Sequence, residues 1–339
     1  VDNLYRSFKF KQTYCRDLAR RPEKVKSMDR YLFCSGAYDG KVNIYSAKKC
    51  HLLGSYQITT LSLARNINAV RFTSDGQKVL ATTTVRRLVV LDVETGEQIF
   101  AYDNCTYNGR DRTALAVNLH SGPNLVVCAC VNGKGLALFD LRMPLPLDFV
   151  NELYDGIIRD AVFLHESWPW CKGQPAILSV AENGIAKVTS LDGRVMQTID
   201  IGSSIHSVAE TPEKYGSMVD DGFGSVVMFG GDHLSSYVPD VGVQETMTEH
   251  GDVPLWKIKY SSNGNYLYTA CDKGVVRRYR RYSDRHEFQD ELFSHKDDVE
   301  DMDISPFDEY IVTASKDRSV GVYRLGGPSH GSTEYKEVR

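Results

Sequence analysis

His295 and Asp317 are the residues of this chain that come nearest to acid-base chemistry, because an imidazole paired with a carboxylate can relay a proton. No serine or cysteine stands with them at the spacing of an activated nucleophile, and the sequence contains no GxxxxGK[ST], GxSxG, HExxH or EF-hand pattern. The other histidines are scattered along the chain, at His51, His120, His165, His206, His233, His250, His286 and His330. The eight cysteines include no CxxC and no CxxC…HxxxH spacing, which predicts reduced, buried thiols. Cys128 and Cys130 would share one side of a strand, yet no histidine lies near them in sequence. No catalytic residue, metal site or cofactor is therefore expected. DGFG (221–224) reads as a glycine-rich turn.

Basic and aromatic side chains offer a different chemistry. RRYRRYSDR (277–285) combines five arginines with two tyrosines, and guanidinium groups with aromatic rings suit phosphate or RNA contact. Acidic residues at Asp284, Glu287, Asp290 and Glu291 also allow a solvated strand whose charges are paired locally. The formal net charge of −4 argues against a globally basic nucleic-acid binder. In HESWPWCKGQP (165–175), Trp168 and Trp170 flank Pro169, so the loop either presents an apolar patch or folds back as a packed cap.

A repeat supplies the elements that must position these residues. A tight turn followed by a short β-branched run, ending in a bulky and a polar residue, recurs as SGAYDGKVNIYS (35–46), TTVRRLVVLD (83–92), NGKGLALFD (132–140), ENGIAKVTS (182–190), DGFGSVVMFG (221–230), DKGVVRRYR (272–280) and SKDRSVGVYR (315–324). Tyr45, Leu91, Phe139, Thr189, Phe229, Tyr279 and Tyr323 mark the bulky position, in steps of 46, 48, 50, 40, 50 and 44 residues. Further strands precede the turn, as in INAVRFTSDGQKVLATTT (67–84) and LWKIKYSSNGNYLYTAC (255–271), where SDG and SNG suit tight hairpins.

A period in the forties with several short strands predicts an all-β fold, a seven-bladed β-propeller of four-stranded antiparallel blades, because one blade cannot bury both its faces alone. The propeller is expected over 1–326, with 327–339 as a flexible tail. LYRSFKF (4–10) alternates like a strand but has no turn partner, and is expected to close the ring as the outer strand of the last blade. No apolar run approaches the ~20 residues of a membrane span. Val1 opens no charged-apolar-small leader, which predicts an intracellular protein, cytoplasmic or nuclear, and a start without Met suits a domain cut from a longer chain.

The last copy resembles the WD-repeat family, and the resemblance extends over roughly residues 4 to 325. His295, Ser315, Asp317 and Tyr323 match the family's hydrogen-bonding set of His, Ser/Thr, Asp and Trp, with Tyr in place of Trp. Asp39 with Tyr45, and His250 with Tyr279, preserve fragments of it. The resemblance implies that His295 and Asp317 brace a blade rather than transfer protons.

It also implies that residues flanking the first apolar position of each innermost strand rise around the channel mouth. These are Lys24 and Lys26, Asn66 and Asn68, Thr113 and Leu115, Ile157 and Arg159, Ser204 and His206, Pro254 and Trp256, and Asp298 and Glu300. Tyr38, Glu182, Asp272 and Lys316 should border the same face. Trp256 is either an exposed anchor or a residue packed between blades. Asp298 and Glu300 could receive a basic side chain.

The implied function is a non-enzymatic scaffold that holds a protein or peptide partner at the channel mouth, within a multiprotein complex. Two alternatives stand beside it. One is RNA or phosphate binding through 277–285. The other is a substrate receptor of a cullin ubiquitin ligase, since FDLR (139–142) resembles the Trp-Asp-x-Arg signature with which some WD-repeat proteins dock on the ligase adaptor.

Overall fold

Strands of this chain pair with their sequence neighbours in groups of four, giving seven antiparallel sheets in simple up-and-down order. The computed structural model describes residues 8–12, 31–59, 66–120, 122–212, 225–247, 250, 253–325 and 334–338. The blades run 8–57, 67–102, 115–150, 158–200, 205–247, 255–294 and 299–338. Their innermost strands are Phe8–Gln12, Ile67–Phe72, Leu115–Val117, Ile158–Leu164, Ile205–Glu210, Leu255–Tyr260 and Val299–Ile304. Each adjoins the next in that order, and Val299–Ile304 adjoins Phe8–Gln12 to close the ring.

Leu88–Asp92 shows why the strands are almost continuously apolar. Alternate residues point to opposite faces of a sheet: Leu88 and Val90 enter the cluster shared with the third blade, while Val89 and Leu91 enter the one shared with the first. In the third blade, Val126 and Cys128 face the second, and Val127 and Ala129 face the fourth. An apolar cluster fills each gap between blades, including the last, where Phe33 and Tyr45 meet Val312 and Val322. Each such side chain contributes about 1.5–3 kcal/mol on burial, so stacking, rather than pairing within one blade, holds the ring.

Closure differs from the sequence-based expectation. Phe8–Gln12 is the innermost strand of the first blade, paired with Tyr31–Gly36, and is not the outer strand of the last. That position belongs to Glu334–Val338, paired with Val320–Arg324, so the segment expected to be a tail completes the seventh blade. Residues 13–30 separate the first strand from its partner, which hides the pairing from a reading built on tight turns. The repeat also shifts in the fifth blade. Val227–Gly231 is its second strand and Leu234–Val238 its third. Tyr237, not Phe229, is then the counterpart of Tyr279, and the uneven steps of 40 and 50 residues become 48 and 42.

Trp168 and Trp170 resolve as a packed cap. They stack 5.9 Å apart, buried in the cluster between the fourth and fifth blades, with Trp170 also against Tyr237. Among the described residues no helix is long and apolar enough to cross a membrane.

Candidate functional site at the channel mouth

The histidine with the most enzyme-like surroundings is a brace. His295 donates from Nδ1 to Asp317 Oδ2 at 3.1 Å, and its Nε2 meets the Thr313 hydroxyl at 2.7 Å. The hydroxyl is that of Thr313, not Ser315; Ser315 Oγ instead donates to the Asp297 carbonyl at 3.0 Å. Phe293 stacks on Tyr323 at 4.8 Å beside this set. Gly321 makes room for it, since a Cβ there would lie 2.5 Å from Thr313 Oγ1 and 2.9 Å from His295 Nε2. Burial opposes ionisation of Asp317, but hydrogen bonds from Ser319 and the Lys296 amide, with His295 nearby, hold its carboxyl below the ordinary range. The His295 side chain is fully buried, so no substrate reaches it.

Rim residues arise from a shared irregularity. In five innermost strands the ladder skips one residue: between Ile67 and Ala69, Ile158 and Asp160, Ile205 and Ser207, Leu255 and Lys257, and Val299 and Asp301. The skipped residues are Asn68, Arg159, His206, Trp256 and Glu300. A bulge re-aims its extra side chain out of the sheet pattern, which takes these residues out of the alternation that fills the gaps between blades. Lys24 and Lys26 lie outside the described residues. The innermost strand of the first blade is Phe8–Gln12, not the segment around Val25.

The predicted rim divides into two groups. Asn68 and Arg159 turn onto the segment that enters the third blade. Asn68 donates to the carbonyls of Tyr107 and Gly109 at 3.1 and 2.9 Å. Arg159 pairs with Glu182, lies 3.8 Å from Asp111 and donates to the Arg112 carbonyl at 3.3 Å. Thr113 Oγ1 adds a bond to the Ile158 carbonyl at 2.9 Å.

The second group spans the fifth to seventh blades. His206 stacks on Trp256 with ring centroids 4.4 Å apart and planes 17° from parallel. Trp256 Nε1 donates to Asp272 Oδ1, and Lys316 Nζ lies 5.8 Å from the indole centroid. Lys316 Nζ is 2.8 Å from Asp298 and 3.8 Å from Glu300. Burial raises the Asp298 carboxyl above its ordinary range despite Lys316. Burial lowers His206, helped by Arg112 and Arg159 and opposed by its hydrogen bond to the Leu255 carbonyl. Its imidazole is thus neutral, donating from Nδ1 to that carbonyl at 3.2 Å and facing the Ser204 hydroxyl through Nε2 at 3.1 Å. Tyr38 sits half-buried in the turn before Lys41–Ser46.

Arg112, which the sequence reading missed, fills the mouth. Its guanidinium donates to the carbonyls of His206 and Trp256 at 2.7 and 2.6 Å and lies 3.3 Å from Asp301. One side chain entering the third blade thus ties the fifth, sixth and seventh. Other charges also meet across the ring. Asp160 of the fourth blade contacts Lys257 of the sixth at 2.5 Å and accepts from Ser207 of the fifth at 2.8 Å, while Arg71 of the second lies 4.0 Å from Asp301. Burial opposes the Asp160 charge, yet Lys257, Arg112 and Arg71 hold its carboxyl well below the usual range. Burial lowers Lys257, and Arg112 and Arg71 act in the same direction against Asp160 and Asp301. The Asp160 direction follows from the cations facing it, and the Lys257 direction chiefly from burial.

The WD domain, G-beta repeat family model matches residues 243–279 and 287–324, from the outer strand of the fifth blade through the sixth to the third strand of the seventh, where the His295 set sits. This chain is a divergent WD-repeat β-propeller. No curated protein sequence matches it. A chain in the solved "Crystal Structure of Mitotic Checkpoint Complex" is similar, with a TM-score of 0.70, 12% identity, and coverage of 87% of this chain and 84% of that one. At that identity the likeness is one of fold.

Within this WD-repeat propeller the arginine-rich stretch lies on the outer half of the sixth blade, with its charges largely matched. Arg277 meets Glu291 at 3.0 Å, Arg278 makes two bonds to Asp290 at 2.9 and 2.6 Å, and Arg285 pairs with Asp284 and Glu287. Arg280 and Arg285 lie over the Tyr282 ring. In FDLR, Phe139 is buried between the second and third blades, while Arg142 grips Asp140 through Nε and Nη2, at 2.9 and 2.5 Å. The Arg142 side chain is 72% exposed.

Proposed function

We propose that this WD-repeat propeller is a non-enzymatic scaffold whose channel mouth recognises a peptide segment of a protein partner within a larger complex. The segment carries a basic side chain for Asp298 and Glu300 beside an apolar one for Trp256. The observation behind this reading is the constellation of Trp256, Asp298 and Glu300 on adjoining blades, with the indole oriented by Asp272 on its edge and His206 on its face. Groups fixed before binding lose little entropy on binding. Because Arg112 bridges the fifth, sixth and seventh blades, the partner lies across the rim instead of threading the channel. The seven cysteines among the described residues are free thiols, which suits an intracellular setting, cytoplasmic or nuclear.

The test is partner capture from cell extract by the parent and by variants of unchanged melting temperature, with captured proteins identified by mass spectrometry. Trp256→Ala is expected to raise the dissociation rate of the captured partner, and Glu300→Lys to slow association. Arg277→Ala and Arg280→Ala should capture like the parent. Loss in the arginine variants with retention in the rim variants would reverse the reading in favour of RNA or phosphate contact.

Arg142 supports a second role at a separate place. Asp140 holds an exposed guanidinium in a fixed fork at the edge of the third blade, which suits docking to a ubiquitin-ligase adaptor. Co-purification with the adaptor, lost in Arg142→Ala, is the expected result.

A further inference from the structure

The acceptor proposed for a partner's basic side chain is already filled, and by this chain's own Lys316. Its ammonium lies 2.8 Å from Asp298, 3.8 Å from Glu300 and 5.8 Å from the Trp256 centroid. An aromatic face with two carboxylates is the environment a cationic side chain seeks. The Trp256 ring is not free to turn away, because Asp272 binds its Nε1 and His206 covers one face at 4.4 Å. Lys316 is held more loosely. It stands in the turn between Tyr310–Ser315 and Val320–Arg324, and its side chain is 34% exposed. Its backbone is anchored separately, with the amide donating to the Asp298 carbonyl at 3.0 Å, so the ammonium can leave without disturbing the blade. Ion pairs this exposed contribute little to stability.

We infer that Lys316 is a displaceable stand-in for the lysine or arginine of a partner peptide, so that binding exchanges one cation for another at Asp298, Glu300 and Trp256. The inference rests on the rim reading above. It adds that Lys316 competes with the partner and tunes its affinity.

The experiment measures binding of fluorescein-labelled hexalysine to the full chain by fluorescence anisotropy at low salt, with hexaglutamate as the control peptide. Lys316→Ala and Lys316→Met, the latter keeping the aliphatic stem, are compared with Lys134→Ala, which removes the same charge from an exposed turn in the third blade. Both Lys316 variants are expected to bind hexalysine about fivefold more tightly than the parent. Lys134→Ala should change binding by much less, and adding Trp256→Ala to Lys316→Ala should abolish the gain. Equal gains in the Lys134 and Lys316 variants would overturn the inference, as a plain charge effect. If Trp256→Ala weakens hexalysine binding while the Lys316 variants bind like the parent or more weakly, the stand-in is wrong and the rim reading survives. If hexalysine binding ignores Trp256, Glu300 and Lys316 alike, both fail.

Discussion

Arg278, on the outer half of the sixth blade, and Arg112, in the channel mouth, each meet a carboxylate, but their surroundings give the pairs different weight. Arg278 and Asp290 stand on neighbouring strands of one sheet, with side chains 30% and 44% exposed. Water screens such a pair, and the blade is already held by its backbone ladder. Arg112 is 11% exposed, its partner Asp301 is 1% exposed, and its other bonds go to carbonyls of two further blades. Removing it would leave a buried carboxylate with less compensation and untie three blades together. A dense run of arginines is therefore weaker evidence for function than one arginine crossing between elements distant in sequence.

Arg112→Ala should break this contrast with the largest effect, a loss of about 3–5 kcal/mol in chemical denaturation, against about 1 kcal/mol or less for Arg278→Ala. Similar losses would remove the distinction. The acid limb of stability sharpens it. Asp160 titrates in the folded state well below its ordinary value, so its contribution is full above about pH 4, the unfolded-state value, and is lost as pH falls through the lower folded value. Denaturant midpoints should fall below about pH 4 in the parent. Asp160→Asn should be less stable at neutral pH and show a flatter acid limb.

A smaller effect is expected where a brace stays within one blade. Asp317→Ala should cost about 1–3 kcal/mol by leaving His295 without its carboxylate, and Thr313→Val should cost a similar amount from the other ring nitrogen. Asp39→Ala in the first blade, where the carboxylate bonds the Lys41 amide at an exposed turn, should melt closer to the parent. The smallest effect belongs to Arg285→Ala, whose exposed pairs with Asp284 and Glu287 should leave the melting temperature unchanged within error.

The blade count and most third strands were legible because each blade repeats one local problem: a turn that needs Gly, Asp or Asn, then a strand buried on both faces. Those demands act over a few residues and leave a period. The five bulged positions share one sequence mark for the same reason, each sitting one residue beyond the first apolar residue of an innermost strand. Closure was not, because Phe8–Gln12 finds its partner only beyond residues 13–30, and the Gly-, Pro- and Ser-rich stretch 325–333 before Glu334–Val338 reads as the start of a tail as readily as a connection back to Val320–Arg324. Likewise, nothing near Thr313 or Ser315 in sequence tells which hydroxyl meets His295; the pairing of Thr313 with Gly321 across the sheet decides it. Arg112 matches no motif. Its role exists only once His206, Trp256 and Asp301, drawn from three blades, converge on one point, and that convergence is a property of the closed ring.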